Sequence, residues 1–599
     1  MTGYTAPLAD MRFVLDEIVG LDDLARLPGL ESASPDTVTA VLNEAAKFAG
    51  QVLAPLNRVG DLQRSVLAGD GVKTPDGFKD AYRQFVDGGW NGIMCDPEYG
   101  GQGLPWALAL AVLEMWESAN LAFSLCPVLT QAAIEALTQI GTPEQRRLYL
   151  NKLVSGEWTG TMNLTEPQAG SDVGALKARA VKDGDRYRIT GTKIFITFGE
   201  HDYTDNIIHL VLARTPGAAP GTKGISLFLV PKFLVNADGS LGARNDLRAV
   251  SLEHKLGIHA SPTAVMSFGD KEGAIGYLVG GEGEGMRAMF LMMNNARLTV
   301  GLEGLGIAER AYQQALAYAK ERKQGRAIGA SGADSSPIVF HPDVRRMLMT
   351  MKATNEAMRA LAYTVAAALD RAKRERDATA RAAAQAFVDL MIPVLKGWCT
   401  DMGVEMTSLG VQVHGGMGYI EETGAAQHFR DARIAPIYEG TNGIQALDLV
   451  MRKLPREDGA AVKREIAAMR GLDRELGAVN DPAFAAIRGP LAEATQALGA
   501  ATEWMLAHLA ADPKAAAAGA SQYLRLFGIA YGGYMMAKSA LKARALQARN
   551  GTDAAFAAAK IATARFYAEQ ILAPAPGLLA PITAGAEALF AIGPDLMSA

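Results

Sequence analysis

The segment Phe429-Arg-Asp-Ala-Arg-Ile-Ala-Pro-Ile-Tyr-Glu-Gly-Thr-Asn-Gly-Ile-Gln445 sets a carboxylate, Glu439, between an aromatic ring and a glycine, immediately ahead of a helix-forming stretch. A carboxylate so placed can act as a general base. Thr441 can cap the helix, in which Ile444, Leu447, Val450 and Met451 recur at helical spacing, so a rigid element holds the backbone around Glu439. Gly440 carries no side chain to obstruct a substrate. Tyr438 and the apolar Ile434, Ala435 and Ile437 can exclude water from the carboxylate, which disfavours its charged form and makes it a stronger base. The same residues also describe an ordinary loop-to-helix junction with an acid near the helix dipole, and Glu439 alone does not separate the two readings.

Other segments carry chemistry of a different kind. Met162-Asn-Leu-Thr-Glu-Pro-Gln-Ala-Gly-Ser-Asp-Val173 reads as a strand entering a loop of small residues, where backbone N–H groups are exposed and a planar ring can approach closely. Lys193-Ile-Phe-Ile-Thr197 alternates like a strand, and Arg322-Lys-Gln324 ends a long helix with a guanidinium able to face two phosphate oxygens at once. Phe340-His341, Gln412-Val-His-Gly-Gly416 and Asn294-Asn-Ala-Arg297 complete the set. Ile-Tyr-Glu-Gly-Thr-Asn-Gly-Ile-Gln resembles the catalytic segment of the acyl-CoA dehydrogenases, and the other segments resemble the same family in the same order over roughly residues 40 to 455.

The resemblance implies that Glu439 removes the α-proton of an acyl-CoA thioester while FAD takes the β-hydrogen as hydride, giving the trans-2-enoyl-CoA. It further implies that Met162, Leu164 and Thr165 contact the flavin, that Thr197 reaches its N5 region, and that Ser171 touches the substrate. Phe195 stands where most relatives have tryptophan, so a covering ring is kept and an indole N–H is lost. Arg322 would reach the FAD pyrophosphate across a subunit interface, with Phe340, Gln412, Gly415 and Gly416 near the adenosine half, and Thr441 also at the cofactor. Gln324 departs from the family's threonine. Asn294, Arg297, Tyr438 and Gly440 would border the acyl-CoA. Some branches carry the base on the Asn294 helix, but Ala296 occupies that position here, which leaves Glu439.

A chain of 599 residues exceeds one hydrophobic core and predicts three or four domains. The net charge of -5, from scattered charges of both signs, gives no electrostatic footprint for nucleic acid. Cys95, Cys126 and Cys399 are too far apart in sequence to suggest a zinc site or a disulfide framework, which fits a reducing cytoplasm, and no metal is expected. The first ten residues lack a signal-peptide pattern, no uninterrupted apolar run approaches the ~20 residues of a membrane span, and the C-terminal Leu-Met-Ser-Ala shows no address or lipidation motif.

The periodicity predicts a multidomain α+β protein. Residues 1–35 form an N-terminal extension with a short amphipathic segment from Met11 to Ile18, and residues 36–158 a helical domain that includes a capping box at Thr142-Pro-Glu-Gln145. Near Thr159 the period turns from helical to alternating, and residues 159–280 read as an antiparallel β-domain of sandwich or barrel type, with a hairpin at Asp183-Gly-Asp. Long helices from Met286 to Gln324, His341 to Arg374 and Ala378 to Leu409, with the helix after Glu439, predict a four-helix bundle over residues 281–455. Residues 456–599 add an alanine-rich helical domain. The resemblance implies the same architecture, the acyl-CoA dehydrogenase fold with an extra C-terminal domain, as in the branch of large acyl-CoA dehydrogenases that includes the 3-methylmercaptopropionyl-CoA dehydrogenases.

The expected substrate is therefore an acyl-CoA, either 3-methylmercaptopropionyl-CoA or a medium- or long-chain thioester. An electron-transferring flavoprotein is the expected acceptor and a homodimer or homotetramer the expected assembly. The alternatives are an acyl-CoA oxidase, which shares base and flavin, and a flavin-containing DNA-binding relative, which the acidic balance disfavours. His414-Gly-Gly-Met-Gly418 resembles an esterase oxyanion loop, yet the chain has no Gly-x-Ser-x-Gly.

Overall fold

The main sheet begins where the periodicity changes, at Thr159, in a computed structural model that describes residues 3–69, 71–332, 334–549 and 553–598. Residues 1, 2 and 599, in the two terminal segments read above, lie outside the described residues. The chain divides into two compact units, one of Glu44–Leu104 and Met115–Thr299, the other of Met1–Asn43, Pro105–Glu114 and Val300–Ala599.

The first unit contains every strand among the described residues: β1 Val66–Ala68, β2 Gly71–Lys73, β3 Thr159–Asn163, β4 Arg179–Asp183, β5 Arg186–Thr197, β6 Ile207–Arg214, β7 Ile225–Pro231, β8 Phe233–Val235, β9 Leu241–Arg244, β10 Leu247–Leu252, β11 Thr263–Phe268 and β12 Ala274–Val279. The β1–β2 hairpin lies inside the stretch expected to be helical, because three residues a side are too few to register as alternation. The main sheet runs β10-β11-β5-β12-β7-β6-β3, and β4 pairs with both β5 and β6. The pairings β5-β12-β7-β6-β4 therefore close on themselves, which is the barrel form of the expected domain. The sheet is antiparallel as expected except at β6, which β3 joins in parallel from Thr159 opposite Ile207 to Asn163 opposite Val211, and which β4 meets in parallel at one pair. The chain between β3 and β6 is long enough to return in the same direction. The strand read at Lys193–Thr197 is the end of the longer β5, whose first half pairs with β4 and β12 and whose second half, from Gly191 onward, pairs with β11. At that crossing a Cβ on Gly191 would lie 2.9 Å from Ala178 Cα, so the strand can change partners only at a glycine.

Apolar packing covers both faces of β6 and β7, where every residue from Ile207 to Ala213 and from Ile225 to Pro231 is buried. Ile189, Val211, Phe228 and Met266 fill one face, while Leu210, Leu212, Leu227 and Leu229 pack with Ala133, Leu137, Leu150 and Met289 on the other. A cluster of rings, in which Phe48 meets Trp116 at 5.2 Å and Tyr82 stacks on Tyr203 at 4.9 Å, fastens the helical layer of this unit.

The second unit is helical, built on the long helix Gly285–Glu321, of which it takes the part from Val300, and on Pro342–Arg374, Ala378–His414, Ala425–Ala432 and Asn442–Asp448. The added helices Ala460–Gly477, Pro482–Ala511, Pro513–Gln547 and Ala554–Phe566 belong to the same unit. Helix Pro513–Gln547 approaches Ala378–His414 so closely that a Cβ on Gly528 would lie 2.2 Å from Trp398 Cγ. A buried ion network joins the N-terminal extension and the C-terminal helices to the bundle. Arg359 reaches Asp10 at 2.6 Å, Glu114 at 2.6 Å and Glu309 at 3.2 Å, and Lys560 reaches Asp10 at 2.6 Å and Glu356 at 2.7 Å. Burial alone would raise the Asp10 carboxyl, but Lys560 and Arg359 hold it well below the usual carboxylate range.

Among the described residues two helices are long and apolar enough, by length and composition, to cross a membrane, although no uninterrupted apolar run predicted one. The apolar window of Trp106–Ile140 is 89% buried in the protein, and that of Ala378–Tyr419 is 39% buried.

Candidate functional site

Glu439 sits on the short turn between helices Ala425–Ala432 and Asn442–Asp448 with φ of 55°, a left-handed conformation that costs a residue with a Cβ of the order of 1–3 kcal/mol. The turn is held from several sides. Thr441 Oγ1 accepts from the Ile444 N–H at 3.3 Å, and Gln445 Nε2 donates to the Glu439 and Gly440 carbonyls at 3.2 and 3.3 Å. Lys396, fully buried on the neighbouring long helix, donates to Gly440 O at 2.9 Å and to Asn442 Oδ1 at 2.9 Å. Asn442 in turn donates to Gly397 O, Thr400 Oγ1 and Asp401 Oδ1. Strain at Glu439 is thus over-determined by its surroundings, as strained functional residues are.

Behind the turn lies a second carboxyl, Glu303, with no exposure, whose Oε2 accepts the Tyr438 hydroxyl and whose Oε1 has no partner among the described residues. Burial first, and the charge of Glu439 second, push Glu303 up to about 8, against the pull of Tyr438 and Lys396. Sequence reading passed over Glu303 and Lys396. Their signal was a lone charge inside an apolar helical run, Leu-Glu-Gly-Leu in one case and Val-Leu-Lys-Gly in the other.

The shield expected around Glu439 is only partly made by this chain. Ala435 is buried and Ile434, Tyr438 and Glu439 are half-buried, but Ile437 is 47% exposed. The helix after Thr441 buries Ala446, Leu449 and Val450 and leaves Leu447 and Met451 exposed, which shifts its inner face from the residues its spacing suggested. Thr441 spends its hydroxyl on the cap.

In the other unit, Met162 is buried at the end of β3, Leu164 and Thr165 are half-buried, and Ser171 is exposed on the following loop. Phe195 stands 59% exposed at φ of 60°, where the β5–β11 register shifts, with Thr197 half-buried two residues on. The Ile194 N–H donates to Thr165 O at 2.9 Å, so strand and loop are directly joined. Beneath them Lys193, fully buried, donates to Glu166 Oε1 at 2.8 Å and Leu164 O at 3.0 Å. Glu166 also accepts from the Lys177 and Ala178 N–H groups at 2.6 and 3.0 Å. Burial brings the Lys193 ammonium down to about 8 despite the attraction of Glu166. An exposed ring on a strained strand, with Thr197 at the end of the same strand and Thr165 on the braced loop, suits one face of a flavin ring, and these residues fit FAD. Asn294 and Arg297 lie on the Gly285–Glu321 helix, Asn294 half-buried and Arg297 buried.

Arg322 follows the end of that helix with an exposed side chain, and the Ile338 N–H donates to its carbonyl at 2.8 Å, which brings the exposed Phe340 to the same turn. Gln412, Gly415 and Gly416 are exposed at the end of helix Ala378–His414, and a Cβ on either glycine would meet nothing within 4 Å. This open backbone suits close approach of a dinucleotide.

Family models match four successive segments. They are the acyl-CoA dehydrogenase N-terminal domain over residues 36–157, its middle domain over 161–270, its C-terminal domain over 283–454, and an acetyl-CoA dehydrogenase C-terminal-like domain over 461–593. The chain is 48% identical over 570 residues to the 3-methylmercaptopropionyl-CoA dehydrogenase of Ruegeria pomeroyi, covering 95% of this chain and 96% of that one. It is 35% identical over 595 residues to a butyryl-CoA dehydrogenase of Syntrophomonas wolfei, covering 97% and 96%. Its fold matches that of an acyl-CoA dehydrogenase of Bacillus anthracis complexed with FAD, with a TM-score of 0.72 and 22% identity over 98% of this chain and 93% of that one.

Proposed function

This chain belongs to the acyl-CoA dehydrogenase family, and we propose that Glu439 is the base of its FAD-dependent reaction. The enzyme is an oxidoreductase that converts an acyl-CoA thioester to the 2-enoyl-CoA. FAD, when bound, accepts the β-hydrogen together with its electron pair. The observation that carries the assignment of Glu439 is its strained turn, clamped by Lys396, Gln445 and the Thr441 cap. A carboxylate oxygen of Glu439 takes the α-proton, and the electrons of that C–H bond spread onto the thioester carbonyl, whose oxygen the Glu439 backbone N–H would stabilise. An acyl chain packed against the turn would remove water from the carboxylate and strengthen the base, adding to the partial shield of Ala435, Ile434 and Tyr438.

In the same reading Met162, Leu164, Thr165, Phe195 and Thr197 hold the flavin ring, and Ser171, Asn294, Arg297, Tyr438 and Gly440 the acyl-CoA. Arg322, Phe340, Gln412, Gly415 and Gly416 receive the phosphate and adenosine end of a neighbouring subunit's FAD, with Thr441 fixing the turn at the cofactor, so the enzyme works as a homodimer or homotetramer. The functional domains are residues 1–35, 36–158, 159–280, 281–455 and 456–599. The similarity to the Ruegeria enzyme supports 3-methylmercaptopropionyl-CoA as first candidate substrate, ahead of medium- and long-chain thioesters. An electron-transferring flavoprotein is the acceptor, and the cytoplasm the compartment. Anaerobic titration with a panel of acyl-CoAs tests this. The reading expects flavin bleaching fastest with 3-methylmercaptopropionyl-CoA, and rapid stoichiometric hydrogen peroxide in air would instead identify an oxidase.

A further inference from the structure

We propose that Glu303 is a positioning residue for the base: a second, buried carboxyl that acts on Glu439 through its charge and through Tyr438, so that proton abstraction titrates in two coupled steps. The proposal rests on the assignment of Glu439 as base.

Three features of the geometry carry it. The first is how Glu303 comes to be there. It lies between Gly301 and Gly304 on the helix Gly285–Glu321, and these glycines let that helix sit against Ala378–His414. A Cβ on Gly304 would lie 2.1 Å from Cys399 O, and one on Gly301 would lie 2.8 Å from Leu395 Cγ. The close approach places Glu303 in the field of Lys396, which itself grips the Glu439 turn through Gly440 O and Asn442. The second feature is the bond from the Tyr438 hydroxyl to Glu303 Oε2, which ties the acid to the residue preceding the base. The third is Glu303 Oε1, a buried oxygen without a partner among the described residues. An ionised carboxylate leaves such an atom at high cost, whereas a protonated acid tolerates it.

The charged and titratable groups around Glu303 are few. Lys396 faces it from the helix Ala378–His414, and Tyr438 and Glu439 face it from the turn. Cys399 is on the same helix as Lys396, and burial holds its thiol well above its ordinary range, so it stays neutral. Asp401, farther along, is bonded to Asn442. Burial, with the Glu439 charge, pushes Glu303 up to about 8. When it ionises, the new negative charge disfavours the Glu439 carboxylate relative to its protonated form and makes it a stronger base. Two carboxyls that repel this way share their titration.

The experiment is the pH profile of flavin reduction, measured anaerobically by stopped flow on the FAD-loaded protein with a saturating acyl-CoA. Wild type is expected to show the acid limb of the base and then a second rise of roughly threefold centred near pH 8, as one unit of coupling expressed at half strength gives. Glu303→Gln keeps the volume and the acceptor for Tyr438 but cannot ionise, and is expected to keep the acid limb and lose the second rise. Tyr438→Phe removes the bond that favours the charged acid, and is expected to move the second rise to higher pH. Superimposable profiles for wild type and Glu303→Gln, or a wild type with no second rise, overturn the proposal. Glu439→Gln serves as the control: if it reduces flavin normally, the base assignment fails, and if it is inert while Glu303→Gln matches wild type, only the role of Glu303 fails.

Discussion

Replacing Lys193, which is not itself among the residues proposed to contact the cofactor, with methionine should loosen the flavin-facing loop. Lys193 and Glu166 are buried together, and breaking such a pair from one side typically costs 3–5 kcal/mol because the other charge is left without compensation. Glu166 keeps three donors, the Lys177 and Ala178 N–H groups and Gln168 Nε2, so the low end applies, about 3 kcal/mol. Leu164 O also loses a donor, which adds about 1 kcal/mol. If that energy is spent in freeing the loop from β5, FAD affinity falls by about a hundredfold or more at 1.4 kcal/mol per decade. Urea unfolding of the apoprotein and a fluorescence titration with FAD read both quantities. Lys193→Met/Glu166→Gln removes the orphaned charge and should recover most of the loss. A single variant within about 1 kcal/mol of wild type, or a double variant as weak as the single, refutes the argument that the ion pair braces the loop.

Phe195→Gly should relieve the positive φ and stabilise the apoprotein while weakening FAD binding, and equal affinity for FAD would remove Phe195 from the flavin site. Arg359→Met removes the cation shared by Asp10, Glu114 and Glu309 and should cost about 3–5 kcal/mol by thermal or urea unfolding, with part of the loss recovered at acid pH as the carboxylates protonate; a change below about 1 kcal/mol contradicts the network's structural role. His259, 2.9 Å from Asp61, is raised above its ordinary value by that hydrogen bond. Its contribution to stability is therefore complete below about pH 6.5 and is lost as pH rises through the higher folded value. His259→Gln should flatten this part of the stability profile, and an unchanged slope would refute it.

The sequence made some features legible because they are local. Thr142 and Gln145 form the capping box their types announce, and Asp183-Gly-Asp makes the tight β4–β5 turn, with Asp183 opposite Arg186. In the helix Pro513–Gln547 the apolar run from Phe527 to Ala537 is buried apart from the half-buried Tyr534. Features that depend on distant partners were hidden. The parallel pairing of β3 with β6 leaves no local mark, nor does the closure of the barrel through β4. Glu303 and Lys396 are about ninety residues apart and become one device only when Gly301 and Gly304 bring their helices together. Glu439 was visible as a carboxylate beside a glycine, but its left-handed backbone was not, since φ is set by the bonds from Lys396 and Gln445 on either side.

The most direct test of the account is stopped-flow reduction of the Glu439→Gln variant. Glutamine keeps the size and polarity of the side chain but cannot take the α-proton. The variant should bind FAD and acyl-CoA nearly as wild type does, while flavin reduction slows by at least about a hundredfold, the low end of a general base's contribution. Reduction at close to the wild-type rate would place the base elsewhere, and with Ala296 at the alternative position it would contradict the assignment on which the mechanism stands.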